Sequence, residues 1–149
     1  MVVGEQFSRA GFRVDVRPCS RARSPVDYRA VVVGSAVYDG RWEPSAIDYL
    51  QAHSATLAGR AAWLFQRTGG TDPAVTPPLV DLPGNVAEPA TFSGDLGCCS
   101  ADNALWRRFS HLPQSAEVSE WHRVRQWGQG LADHLRAQPT DRVLALSSV

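Results

Sequence analysis

The run Ala30-Val31-Val32-Val33 holds no polar residue and three β-branched ones in succession. A strand that faces water on one side alternates apolar and polar positions, whereas a continuous apolar run belongs to a strand covered on both faces. Such strands lie inside parallel sheets with helices packed above and below. The residues that follow agree. Pro44 opens a helical pattern at a position where its missing N–H costs nothing. Ile47, Leu50, Ser54 and Leu57 carry that pattern to Gly59, and residues 61 to 65 (AAWLF) form a second buried strand. Strand, helix and strand in this spacing predict a parallel sheet joined by right-handed crossovers.

The rest of the chain extends the same plan. Val3 to Ala10 reads as a short helix that stops at Gly11. Residues 12 to 18 alternate Phe12, Val14 and Val16 with Arg13, Asp15 and Arg17, the pattern of a half-buried edge strand. The arginines around residues 17 to 29 read as a solvated rim. Residues 67 to 89 form a long loop rich in Pro and Gly, a length that usually carries function or motion. Residues 90 to 94 (ATFSG) are a third short strand. Val118, Trp121, Val124, Gly128, Leu131 and Leu135 then fall on one helical stripe, and Pro139 ends that helix. Residues 142 to 149 (RVLALSSV) close the chain as a strand-like apolar run.

Composition narrows the function. With 149 residues the chain suits one domain, and its net charge of +0 gives no ground for binding nucleic acid or an anionic membrane. All basic residues are arginine, which reads as codon bias rather than mechanism. No run approaches the length needed to span a bilayer, and the N-terminus lacks the pattern of a signal peptide. Cys19 is isolated and Cys98-Cys99 are adjacent, so the three cysteines have no metal-ligand spacing. An odd cysteine count fits a reducing, cytoplasmic setting.

In doubly wound sheets ligands sit beyond the carboxyl ends of the strands, where the strand order reverses. Tyr38, Asp39, Gly40, Arg41 and Trp42 follow the apolar run at that edge. Their two rings either hold something flat or cap the sheet and pack on the next helix. A hydrolase is disfavoured, because Gly34-Ser35 lacks the G-x-S-x-G elbow. His53, His111, His122 and His134 have no spacing that pairs them with Ser35 or a metal.

The stretch AVVVGSAVYDGRW with its Pro-opened helix, then AAWLFQRTGG, FSGDLG and SEWHRVRQWGQGLADHL, resembles the flavodoxin domain family, in particular protoporphyrinogen-oxidase-like flavodoxins. The resemblance implies an α/β fold of three layers, α/β/α, that binds FMN and serves electron transfer or an oxidoreductase reaction. Carried over by position, Ser35, Ala36, Val37, Tyr38, Asp39, Gly40 and Trp42 form one flavin loop, and Arg67, Thr68, Gly69 and Gly70 the other. Tyr38 or Trp42 would stack on the isoalloxazine, and Gly40 would let backbone approach it. Asp39 beside the ring would disfavour an anionic reduced flavin. The partners implied are a redox protein and a second copy joined at an exposed sheet edge.

A flavodoxin starts with an apolar strand and a Ser/Thr-Gly-Ser/Thr loop that holds the FMN phosphate. This sequence starts inside the helix that should follow. The expected organisation is therefore a flavodoxin-like domain over residues 1–137, its first strand and phosphate loop missing, and a tail over 138–149. Two expectations follow for that gap: an upstream start, or a replacement strand. In the order 2-1-3-4-5 the missing strand is central, so residues 142–147 are predicted to lie parallel between 12–18 and 30–35. A cofactor-free binding or scaffolding module is the alternative function.

Overall fold

A computed structural model describes residues 2–69, 89–93, 115–138 and 143–148. Helix α1 (Val2–Arg9) opens the chain and buries Val3 and Phe7. Its end is fixed locally. Gly11 takes φ 89°, a conformation that glycine adopts without strain, and the N–H of Phe12 bonds the carbonyl of Phe7 while that of Gly11 bonds Ser8. This double bond pattern brings the rings of Phe7 and Phe12 edge to face at 6.0 Å.

The seven-residue strand expected next is shorter. Only Val16–Arg17 (β1) pairs in the sheet. Phe12 is turned back onto α1, and the Asp15 carboxylate is taken by side chains, accepting from Arg17 Nε at 3.0 Å and from the Tyr28 hydroxyl at 2.8 Å. The Arg17 bond, then the Tyr28 bond, hold the Asp15 carboxyl below its ordinary value of 3.8. A depressed carboxyl contributes stability that is complete above that ordinary value and is lost as pH falls through the lower folded one. Asp15→Asn should thus lower stability near neutrality, where the wild-type carboxylate contributes in full, and flatten the acid limb below about 4, where the two chains converge. Denaturant melts across that range read this directly; an unchanged acid limb would refute the pairing.

The central strand β2 (Tyr28–Tyr38) has 11 residues, far beyond the apolar run that predicted it. It is followed by β3 (Arg41–Trp42), helix α2 (Pro44–Ala52) and helix α3 (Ser54–Ala58). Pro44 is at the first helical turn as expected, but the single predicted helix breaks at His53, whose φ of −117° leaves the helical range. Strand β4 (Ala61–Thr68), strand β5 (Ala90–Ser93), helix α4 (Ser115–Ala137) and strand β6 (Val143–Ser148) complete the described elements. Among the described residues no helix is long and apolar enough to cross a membrane.

The sheet runs β1-β6-β2-β4-β5, all parallel, with β3 folded back antiparallel on β2. Residues 143–148 therefore occupy the slot predicted for them, pairing Leu146 with Val16 on one side and with Val32 on the other. Helices cover both faces. Val31, Val33, Val37 and Leu64 point to α2 and α3, against Ala46, Leu50 and Leu57. Ala30, Val32, Trp63 and Phe65 point to α1 and α4, against Phe7, Val124, Ala132 and Leu135. The helical stripe read from sequence is thus placed inward at Val124, Gly128 and Leu135, and it gains Ala132.

Gly34 is small for a reason. A methyl group there would overlap the ring of Phe65, which lies across it and is wedged edge-on by Trp127 at 5.8 Å. Gly34→Ala should cost about 1–3 kcal/mol through overpacking, and Phe65→Leu in the same chain should recover part of it. Independent, additive costs in a double-mutant cycle would refute this contact.

Candidate functional site

The expected ligand edge is built around a hairpin. Asp39 and Gly40 both take positive φ, 51° and 70°, between the paired residues Tyr38 and Arg41. Two central residues of this kind make the two-residue turn that suits the twist of a hairpin, and Asp-Gly is a favoured pair for it. The stretch expected as a loop is therefore a stiff β-turn at the end of the central strand. Tyr38 stands at its base and is 64% exposed.

Trp42 points the other way. It is 4% exposed and packs in the α2 layer with Val37, Ala46 and Leu50. Its indole N–H donates to Gln66 Oε1 at 2.9 Å, and Gln66 Nε2 donates to Thr91 Oγ1 at 2.9 Å. The chain Trp42–Gln66–Thr91 crosses from β3 through β4 to β5, with its first bond buried and its second reaching the half-buried Thr91. Of the two rings offered for stacking, then, Trp42 is a core residue and Tyr38 alone presents a face to solvent. The alternatives left open by sequence divide between them.

Strand alternation sorts the remaining residues onto two faces. Ser35, Val37 and Thr68 are buried on the α2 side. Ser35 is a structural tie: its Oγ accepts from the N–H of Glu43 at 2.9 Å and donates to the Ala36 carbonyl at 2.8 Å, holding β2 to the start of α2. Ala36 and Tyr38 alternate onto the α4 side, where Arg67, paired with Ala36 across the ladder, joins them. Arg67 is half-buried and makes no ion pair among the described residues. Arg67 and Thr68 belong to β4, not to a loop; Gly69 follows, exposed, and Gly70 lies outside the described residues.

The structure thus brings together Ala36, Tyr38, Arg67 and the Asp39-Gly40 turn at one edge, and it withdraws Ser35, Val37, Trp42 and Thr68 beneath it. Sequence reading missed Gln66 and Thr91. The signal was present in WLFQRT, where a glutamine stands in the buried register of an alternating strand. A groove of about 370 Å3 lies elsewhere, lined by Gly4, Glu5, Ser8, Arg9, Val14 and Val16 of α1 and the β1 edge, and contains none of the predicted site residues.

A doubly wound parallel sheet with helices on both faces and polar groups gathered at the carboxyl end of its central strand defines the flavodoxin-like class. The family comparison agrees: the model described as flavodoxin domain matches residues 2–80, and the chain belongs to that family. Comparison with curated proteins and with solved structures gave no match.

Proposed function

We propose that this flavodoxin-like module binds FMN at the Tyr38 edge and works as an electron-transfer or oxidoreductase domain. The observation that carries the reading is Tyr38, a large aromatic side chain left 64% exposed on a stiff turn at the carboxyl end of the central strand. The donor set fits the ring half of FMN. Tyr38 would stack on the isoalloxazine, the positive-φ Gly40 leaves room for backbone approach, and the Arg67 guanidinium, which makes no ion pair among the described residues, would meet an electron-rich ring edge. Asp39, next in the turn, would oppose build-up of negative charge on the ring. When bound, the flavin supplies the redox chemistry; the protein contributes stacking, orientation and local charge. A redox partner protein is the corresponding partner.

Flavin fluorescence tests this. The folded chain should quench FMN saturably, and Tyr38→Ala should weaken binding about tenfold or more, since a stacked ring contributes about 1–3 kcal/mol. Tyr38→Phe should retain most of the affinity. No quenching by the folded wild type would reject the reading. That result would favour a cofactor-free binding module instead, a reading supported by the burial of Trp42, which removes one of the two rings from the edge.

A further inference from the structure

Strand β1 ends the sheet order β1-β6-β2-β4-β5 and pairs with β6 on one side. Among the described residues no strand lies against its other side. The outward N–H and C=O groups of an edge strand are a template for one strand more. Natural edges are often blunted by charge or covered by a loop, yet Val16 stands on this one 44% exposed. Beside it runs the groove of about 370 Å3 between α1 and the β1 edge. Gly4, Val14 and Val16 give the groove apolar surface, and Glu5, Ser8 and Arg9 give it a polar rim. That volume lies at the lower end of what receives a small ligand, and it has room for an aliphatic side chain.

Charge gathers at the same edge. Arg9, Arg13, Arg17, Arg21 and Arg23 face only Glu5 and Asp15 within residues 5–23, a local excess of three positive charges on a chain that is neutral overall. Asp15 is already engaged, by Arg17 and by Tyr28. Arg9, Arg13, Arg21 and Arg23 are exposed, and none makes an ion pair among the described residues. Arg9 lines the groove, and Arg21 belongs to the single turn Cys19–Arg21 that follows β1. After the bonds from Arg17 and Tyr28, Arg23 also helps through space to hold the Asp15 carboxyl down, which places it at this edge. Like charges held together repel one another, and an anionic partner relieves that repulsion. A solvated rim, as expected from sequence, needs no open strand or apolar groove beside it.

We propose that the β1 edge docks an extended acidic segment of a partner protein by strand addition. The segment's backbone extends the sheet, and one of its apolar side chains enters the groove over Val14 and Val16. Its carboxylates meet Arg9, Arg13, Arg21 and Arg23 in charge-assisted hydrogen bonds. A nucleic acid would use the arginines alone, leaving the groove and the open strand idle and facing Glu5 and Asp15. A bilayer takes apolar groups that protrude from one helix face, whereas these line a recess. The edge lies two strands from β2, so this docking is separate from the flavin reading at Tyr38.

The probe is a labelled peptide of alternating glutamate and valine, about eight residues long to match a strand. It is titrated against the full chain without flavin and read by fluorescence anisotropy. Saturable binding that weakens with salt is expected, and Arg13→Glu with Arg21→Glu should weaken it about tenfold or more. Both positions are exposed, and circular dichroism checks that the variant keeps the wild-type fold. Two altered peptides test the unmodified chain. N-methylation at alternate residues removes the donors of the added strand, and serine in place of valine removes the groups that fill the groove. Each should bind about tenfold more weakly. No saturable binding up to millimolar peptide would overturn the proposal. Equal binding of either altered peptide would do the same, since charge alone would then be read. So would tighter binding of single-stranded DNA, or of phosphatidylserine vesicles, lost in the same arginine variant.

Discussion

Leu146→Pro should abolish the native sheet at ordinary temperature. Leu146 is paired on both sides, with Val16 and with Val32, so its N–H belongs to a ladder whichever neighbour it faces. Proline removes that donor and cannot sit in the middle of a sheet without displacing a neighbour. A cost of about 3 kcal/mol or more is expected, against the 5–15 kcal/mol that holds a typical domain together. Leu146→Ala is the control, since it keeps the N–H and shortens the side chain. Far-ultraviolet circular dichroism and urea melts should show the proline chain unfolded or melting far earlier than the alanine chain. Equal melting of the two would mean that residues 143–148 are not an interior strand.

The placement of that strand shows how much of the fold a chain of this kind declares. The strand was readable because residues 142–149 are an apolar, β-rich run after the last helix, the composition of a strand covered on both faces. Gly11 and Pro44 were readable for a local reason: each has one conformational role at a helix boundary, and each plays it. The length of β1 was not. Alternation along residues 12–18 describes a strand, but Phe12 is drawn back to Phe7 and Asp15 to Tyr28, and both partners are set by tertiary structure.

At the candidate site the face of each residue was legible and its depth was not. Period-two alternation already separates Ser35 and Val37 from Ala36 and Tyr38. The Asp39-Gly40 pair between apolar runs also carries a hairpin signal, which explains why the strand extends to Tyr38. What hides in sequence is the fate of Trp42. Its burial depends on Gln66, 24 residues later, and on Thr91, 25 beyond that. A tryptophan beside an exposed turn looks like a ligand residue until a buried amide is found to receive its N–H.

That relay sets the second large effect. Trp42→Ala should cost about 3–5 kcal/mol, the usual loss for a large aromatic ring removed from a core, and it also strands Gln66 Oε1 without its donor. Trp42→Phe keeps most of the packing and isolates the lost bond, with an expected cost of about 1–3 kcal/mol. Gln66→Leu should cost a similar amount, because the indole N–H and the Thr91 hydroxyl each lose a partner. The pair Trp42→Phe with Gln66→Leu should cost less than the sum of the two, since neither variant then leaves the other's polar atom buried and unmet. Urea melts of the four chains complete the cycle; strict additivity would show that the bond contributes nothing. The same variants separate support from contact at the site. Trp42 anchors the hairpin from beneath while Tyr38 faces outward. On the flavin-binding reading proposed above, Trp42→Ala should therefore weaken FMN binding by loosening the turn, and Trp42→Phe, whose ring still fills the core, should restore it. If the phenylalanine chain bound flavin as poorly as the alanine chain, the indole itself would have to reach the flavin.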